Sequence, residues 1–323
     1  MRRVCHLIAT LAAALAPLAA NAQGMAWVSS EKDDAITLID MRTLTVAGTV
    51  PTCKRPRHMQ IAPGTTQLFV ACSESNAADV IDLATRKSLR RMPLGEDPEA
   101  FDFSADGKQL YVSMEDDAAL GIVDAANGKL LKTVPVGQEP EGVKTSPDGK
   151  RVYVTSEVAS LVHAIDTASA KVVKNIAVGK RPRRFAISAD GTQLWVTNEL
   201  GASVSIISTQ DLSVIGTVKF ELKGMRASDI TPVGIAFSRD GKRAFVGLGR
   251  ANHVAFVDVA SRKVTDTVLV GKRAWHVALN QAGTQLWVVN GLSDDLTVVD
   301  VATAKAIKSV PVGRVPYMVV LAE

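Results

Sequence analysis

Short apolar runs separated by polar, turn-forming residues recur along the chain with one long period. An aromatic residue followed by valine stands at Trp27, Phe69, Tyr111, Tyr153, Trp195, Phe245 and Trp287, and every step is 42 residues except the fifth, which is 50. A second register agrees: the apolar runs close at Asp40, Asp82, Asp124, Asp166, Ser208, Asp258 and Asp300, with the same excess of eight residues at the same place. A fixed period of this length marks a repeat architecture, in which each unit is a supersecondary element that cannot bury its apolar surface alone.

One unit predicts four short strands: Pro140 to Thr145, Arg151 to Thr155, Leu161 to Asp166 and Lys171 to Gly179. The turn Ser146-Pro147-Asp148-Gly149 joins the first two into a hairpin and recurs at 104–107, 188–191 and 238–241, with looser versions at 62–65 and 280–283. After the third strand an Asp is followed three residues later by Thr, Ser or Asn, as in Asp40 to Thr43 and Asp300 to Thr303. The expected role is a turn lock, in which the carboxylate accepts backbone N–H groups, rather than a ring of metal ligands. Runs such as Val254-Ala255-Phe256-Val257 lack polar alternation, so each sheet is apolar on both faces and must be stacked between neighbours. Radial stacking solves this. The prediction is an all-β fold, a seven-bladed β-propeller of four-stranded antiparallel blades. Residues 315–321 match a first strand and 26–50 match strands two to four, so the two termini should complete one blade and close the ring.

Arg2 and Arg3, an apolar stretch from Leu7 to Ala20 and the small residues Ala20-Asn21-Ala22 read as a secretory signal peptide over 1–22, which leaves 23–323 as a single propeller domain. The stretch is short for a membrane anchor, and Cys5 precedes it, unlike a lipid-attachment cysteine. Without the leader 35 basic residues face 33 acidic ones, a balance that does not point to nucleic acid. The expected product is a soluble monomer in the periplasm. Cys53 and Cys72 survive processing, and an oxidising compartment favours a disulfide between them; two buried thiols, or a metal or redox role, are the alternatives.

Tyr153-Val154-Thr155 and Trp195-Val196-Thr197-Asn198, in this frame of Ser-x-Asp-Gly turns, resemble the YVTN family of β-propeller repeats over residues 25–323. An exported seven-repeat chain is most similar within it to periplasmic propellers associated with catabolism dependent on pyrroloquinoline quinone (PQQ). That resemblance implies an accessory protein serving PQQ-linked alcohol oxidation, with a PQQ-dependent dehydrogenase system as a possible partner and no established catalysis. The motif's Asn is kept only at Asn198 and Asn290. Quinoproteins of this fold that hold PQQ usually have eight blades with Trp-bearing docking repeats, and residues 124–129 lack that Trp. No bound cofactor is expected.

Loops from strand four to the next strand one, and from strand two to three, should gather around one end of the central channel. The residue opening each innermost strand is Arg57, Glu99, Glu141, Arg183, Val233, Trp275 or Tyr317, a rim half charged and half apolar that suits a ligand or a partner's loop. The ends of the second strands add Glu31, Ser73, Glu115, Glu157, Glu199, Gly249 and Gly291, facing a basic set that includes Arg55, Arg181, Arg184, Arg273 and Arg314. Close carboxylates such as Glu99 and Glu141 would raise one another's pKa or hold a cation; the bland alternative is a Glu–Arg network lining a wet channel. His58 and His276 sit one residue beyond the rim, with Met318 at the equivalent place between them; a copper set is conceivable there, although alternation should turn these side chains into the packing between blades, and no metal site is predicted. His163 and His253 fall within third strands as packing or surface residues. The eight extra residues fall between 219 and 230 as a lid, a docking loop or a tolerated excursion. There is no Cys-x-x-Cys-His, His-Glu-x-x-His or Gly-x-Ser-x-Gly. The sequence therefore reads as a non-catalytic binding protein whose rim takes a protein or small-molecule ligand. The alternative is a lactonase-like hydrolase using the rim carboxylates with His58 or His276.

Overall fold

A computed structural model describes residues 24–323; the expected signal peptide lies outside them. Seven four-stranded antiparallel sheets follow one another around an axis. We number the blades I (316–322 with 25–51), II (56–93), III (98–135), IV (140–177), V (182–219), VI (235–269) and VII (274–311). The expected propeller is the observed fold. Blade I is closed by both termini: Pro316–Ala322 pairs with Met25–Ser30, setting Met25 opposite Ala322 and Val28 opposite Val319. No helix among these residues is long and apolar enough to cross a bilayer.

The core lies between blades, as the two-faced apolar strands require. Trp27 packs with Met59, Leu68 and Val70 of blade II, and Trp195 with Val246 and Ala255 of blade VI. Trp27, Trp195 and Trp287 are completely buried, the reason an aromatic recurs at this register. The Asp turns work as locks: Asp40 Oδ1 accepts the backbone N–H groups of Arg42 and Thr43 at 2.9 and 2.8 Å, and Asp300 accepts that of Thr303 at 2.7 Å.

Cys53 and Cys72 are bonded, with Cα atoms 5.7 Å apart. Cys53 lies past the outer strand Thr45–Pro51 of blade I and Cys72 ends the second strand of blade II, so the bridge ties neighbouring blades together.

One feature of the innermost strands positions the functional face. In six blades the register slips near the start of that strand, so that two consecutive residues oppose one partner: Pro56 pairs with Cys72 but Met59 with Val70. This bulge breaks the alternation of side chains and re-aims the residues at 57–58 and their equivalents. A hydroxyl of the preceding blade then fixes the rim backbone in four places. Ser29, Ser113, Thr155 and Thr197 donate to the carbonyls of Arg57, Glu141, Arg183 and Val233 at 2.9, 2.9, 3.2 and 2.8 Å.

Candidate functional site

The rim residues converge on the axis and bury one another. Arg57, Glu99, Glu141, Arg183, Trp275 and Tyr317 are all under 8% exposed. Arg57 pairs with Glu99 and lies 4.6 Å above the Tyr317 ring. Arg183 pairs with Glu157 and, at 3.2 Å, with Glu141, and stacks on Trp275 at 5.0 Å. Arg184 reaches Glu141 at 2.8 Å. The Tyr317 hydroxyl donates to Glu141 at 3.1 Å and accepts from Arg57 at 3.3 Å and from Arg184. These charges neutralise one another at the channel's centre, so much of the rim forms a plug.

Above the plug lies a cavity of about 270 Å³, lined by Glu31, Arg55, Arg57, Glu115, Glu141, Arg181, Arg183, Arg273, Trp275 and Tyr317. Below it a second cavity of about 390 Å³ is lined by His58, His276, Arg184, Lys144, Phe101 and Met318 among others. His58, Arg184 and His276 come from blades II, V and VII, so they share a cavity only by facing the axis. His58 packs edge-on against Phe101 of blade III, with ring centroids 4.8 Å apart, as the expected packing between blades has it, and after the strand bulge both histidines also reach the wall of this cavity. The plug also parts these histidines from the upper carboxylates with which a hydrolase was expected to combine them.

Burial and the Arg184 charge hold both imidazoles neutral, with His276 brought down to about 3. Met318 Sδ takes the backbone N–H of Met59 at 3.1 Å. A cation there would meet Arg184, a poor setting for the conceivable copper set.

The carboxylates separate by neighbourhood. Burial raises Glu141, but Arg183, Arg184, Arg57 and the Tyr317 hydroxyl outweigh it and bring it down to about 2. The idea that Glu99 and Glu141 raise one another thus gives way to guanidinium pairing. Burial instead pushes Glu157 up, with Glu141 adding to the rise, against the pull of Arg183 and Arg181, which pair with its carboxylate. Glu115, half-buried in the cavity wall, is raised by burial, then by Glu141 and Asp97, and makes no ion pair among the described residues. Asp97, Glu99 and Glu115 bring carboxylate oxygens within 4.8 Å of one another, a spacing a divalent cation accepts, yet Arg57 on Glu99 and Arg55 at 3.9 Å from Asp97 already supply positive charge. Glu199 lies between Arg181 at 3.1 Å and Arg183 at 3.6 Å.

The inserted segment carries a short turn, Ala227–Asp229, packed against Glu199–Gly201 at the same end of the channel, and none of its residues lines the upper cavity. His163 sits in a polar pair with Ser156 and Asn175 within blade IV, at 2.8 Å from each. The locking hydroxyls were missed in the sequence, although Ser or Thr recurring one period apart at 113, 155 and 197 was a usable signal.

A family model described as "Lactonase, 7-bladed beta-propeller" matches residues 167–311. No curated protein sequence matches the chain. Among solved structures, the periplasmic gluconolactonase PpgL of Pseudomonas aeruginosa superposes with a TM-score of 0.78 at 20% identity, over 93% of this chain and 99% of that one. A putative 6-phosphogluconolactonase of Bacteroides uniformis gives 0.75 at 15% identity, over 92% and 99%. The hydrazine synthase of Kuenenia stuttgartiensis gives 0.76 at 23% identity, over 86% and 93%. At these identities the likenesses establish the fold. The match to a lactonase family corrects the expectation of a non-catalytic accessory protein in a PQQ-linked pathway, and the YVTN likeness does not carry that role.

Proposed function

We propose that the protein hydrolyses a lactone in the upper cavity. The observation that carries this reading is Glu115, a raised, unpaired carboxylate in a cavity wall whose other carboxylates are tied to guanidinium groups. The lactonase match over 167–311 supports it. The guanidiniums of Arg183 and Arg273 that stack on Trp275, and that of Arg57 on Tyr317, offer a cationic wall to the polar face of a lactone. Arg57 and Arg183 both line this cavity, cations suited to the charge that develops on a carbonyl oxygen.

In this reaction the Glu115 carboxylate takes a proton from water as the water oxygen bonds to the lactone carbonyl. The tetrahedral oxyanion collapses with cleavage of the acyl carbon to ring oxygen bond, and Glu115 returns the proton to the leaving alkoxide. The product is the open hydroxy acid. A carboxyl pushed up from its ordinary value is a stronger base for that step. We place the reaction in the periplasm: the inter-blade disulfide suits an oxidising compartment, and one structural neighbour is a periplasmic gluconolactonase.

The test is acid release from glucono-1,5-lactone and a panel of aldonolactones, followed by pH-stat against the spontaneous rate. The expected result is enzyme-dependent hydrolysis that drops about 10²- to 10⁴-fold in Glu115→Gln. A full-length, folded protein that accelerates no lactone would refute the reading.

A further inference from the structure

The repeat allows one blade to serve as a control for another. Arg55, Arg181 and Arg273 occupy the same position of three units, just before the innermost strand, and each lies between the second-strand ends of two blades. Arg55 has Glu31 on one side and bonds it at 3.2 Å. Arg181 has Glu157 and Glu199 on its two sides and forms ion pairs with both, at 2.8 and 3.1 Å. Arg273 has Gly249 and Gly291, and among the described residues its guanidinium finds no carboxylate and no hydrogen-bond acceptor. It is half-buried, lies 4.0 Å over the Trp275 ring and lines the upper cavity beside Gly291.

The two glycines differ in kind. Gly249 has a left-handed φ of 47°, and a Cβ there would stand 2.4 Å from the Thr231 carbonyl oxygen, so the backbone demands glycine. At Gly291 φ carries no such demand, and a Cβ would meet nothing nearer than the Pro316 carbonyl oxygen at 3.4 Å and Arg273 Cδ at 3.9 Å. The space beside Arg273 is thus open where a side chain fits. Burial, the largest influence, lowers the Arg273 pKa and Arg183 adds to it, against the opposing pull of Glu199; a desolvated cation without a counter-charge is an unstable arrangement that an anion relieves.

We infer that Arg273 is an anion seat: the substrate carries an oxyanion group, carboxylate or phosphate, that binds this guanidinium where glutamates stand beside Arg55 and Arg181. A planar carboxylate matches the fork of the guanidinium and replaces the missing side chain in kind. This deepens the hydrolytic reading and rests on it for calling the bound molecule a substrate.

The experiment is calorimetric titration of the mature chain with three stable open-chain probes: D-glucarate, 6-phosphogluconate and uncharged glucitol. The wild type is expected to prefer the anions, and their order tells which oxyanion fits. Arg273→Gln should lose about 10- to 100-fold of that preference, as expected for a charge-assisted contact. Gly291→Glu, which supplies the absent carboxylate from within, should lose as much without touching Arg273. Equal binding of all three probes by the wild type, or an undiminished preference in folded Arg273→Gln, would overturn the seat; if that variant does not fold, Gly291→Glu decides by the same criterion. Anion preference without lactone hydrolysis would sink the hydrolytic reading and leave the seat standing.

Discussion

The two sides of the rim are built on one repeat and treat charge in opposite ways. At blades IV and V the guanidiniums of Arg181, Arg183 and Arg184 meet Glu141, Glu157 and Glu199, so each cation there touches at least one carboxylate. At blades VI and VII the same registers hold Val233, Gly249, Trp275 and Gly291 around the single guanidinium of Arg273. The backbone places are equivalent; what differs is whether a neighbouring blade supplies the partner. The saturated side therefore holds the ring together at its centre, while the unsaturated side keeps binding capacity for something outside the chain.

The largest test removes what both sides stand on. Deletion of residues 316–323 takes away the innermost strand of blade I and Tyr317, which meets Arg57, Arg184 and Glu141; loss of the cooperative melting transition is expected, and a truncated chain that melts like the full one would contradict the closure. Next, Arg183→Ala strips buried Glu141 and Glu157 of a shared partner and should cost about 3–5 kcal/mol in chemical denaturation, whereas Arg273→Met should change stability by less than about 1 kcal/mol. Equal costs would erase the contrast between the two sides.

A third test reads the saturated side by pH. The folded pKa of Glu141, about 2, lies below its ordinary 4.5, so its contribution is fully present above pH 4.5 and is lost as pH falls towards 2. The loss should amount to about 3 kcal/mol, and Glu141→Gln should flatten that acid limb of a stability profile. Smallest and most local, replacing Cys53 and Cys72 by Ser opens a closed loop of about 20 residues and should cost about 3 kcal/mol or less, a change in denaturation midpoint that leaves anion binding at Arg273 in place.

Much of the architecture was legible because it is periodic. The aromatic at 27, 69 and 111 and the Asp at 40, 82 and 124 recur at one spacing, and the matches at 26–50 and 315–321 predicted the closing blade seen in the structure. The rim residues from Arg57 to Tyr317 were also found by register. Their behaviour was not. Alternation placed His58 and His276 between blades, and His58 does meet Phe101 there, but a bulge of one residue, with no signature of its own in the sequence, also brings both to the wall of a shared cavity. Glu99 and Glu141 looked like a carboxylate pair, but the guanidiniums beside them come from 42 or more residues away in other blades.

The sequence by itself determined the number of blades, the strand order within each and the end of the channel where charge collects, because these follow from a local hydrogen-bonding and burial pattern repeated along the chain. Only the tertiary structure decided which charges cancel. That depends on ångström distances between side chains of different blades, and it is why Arg181 is spent on two glutamates while Arg273, in the same register, has none.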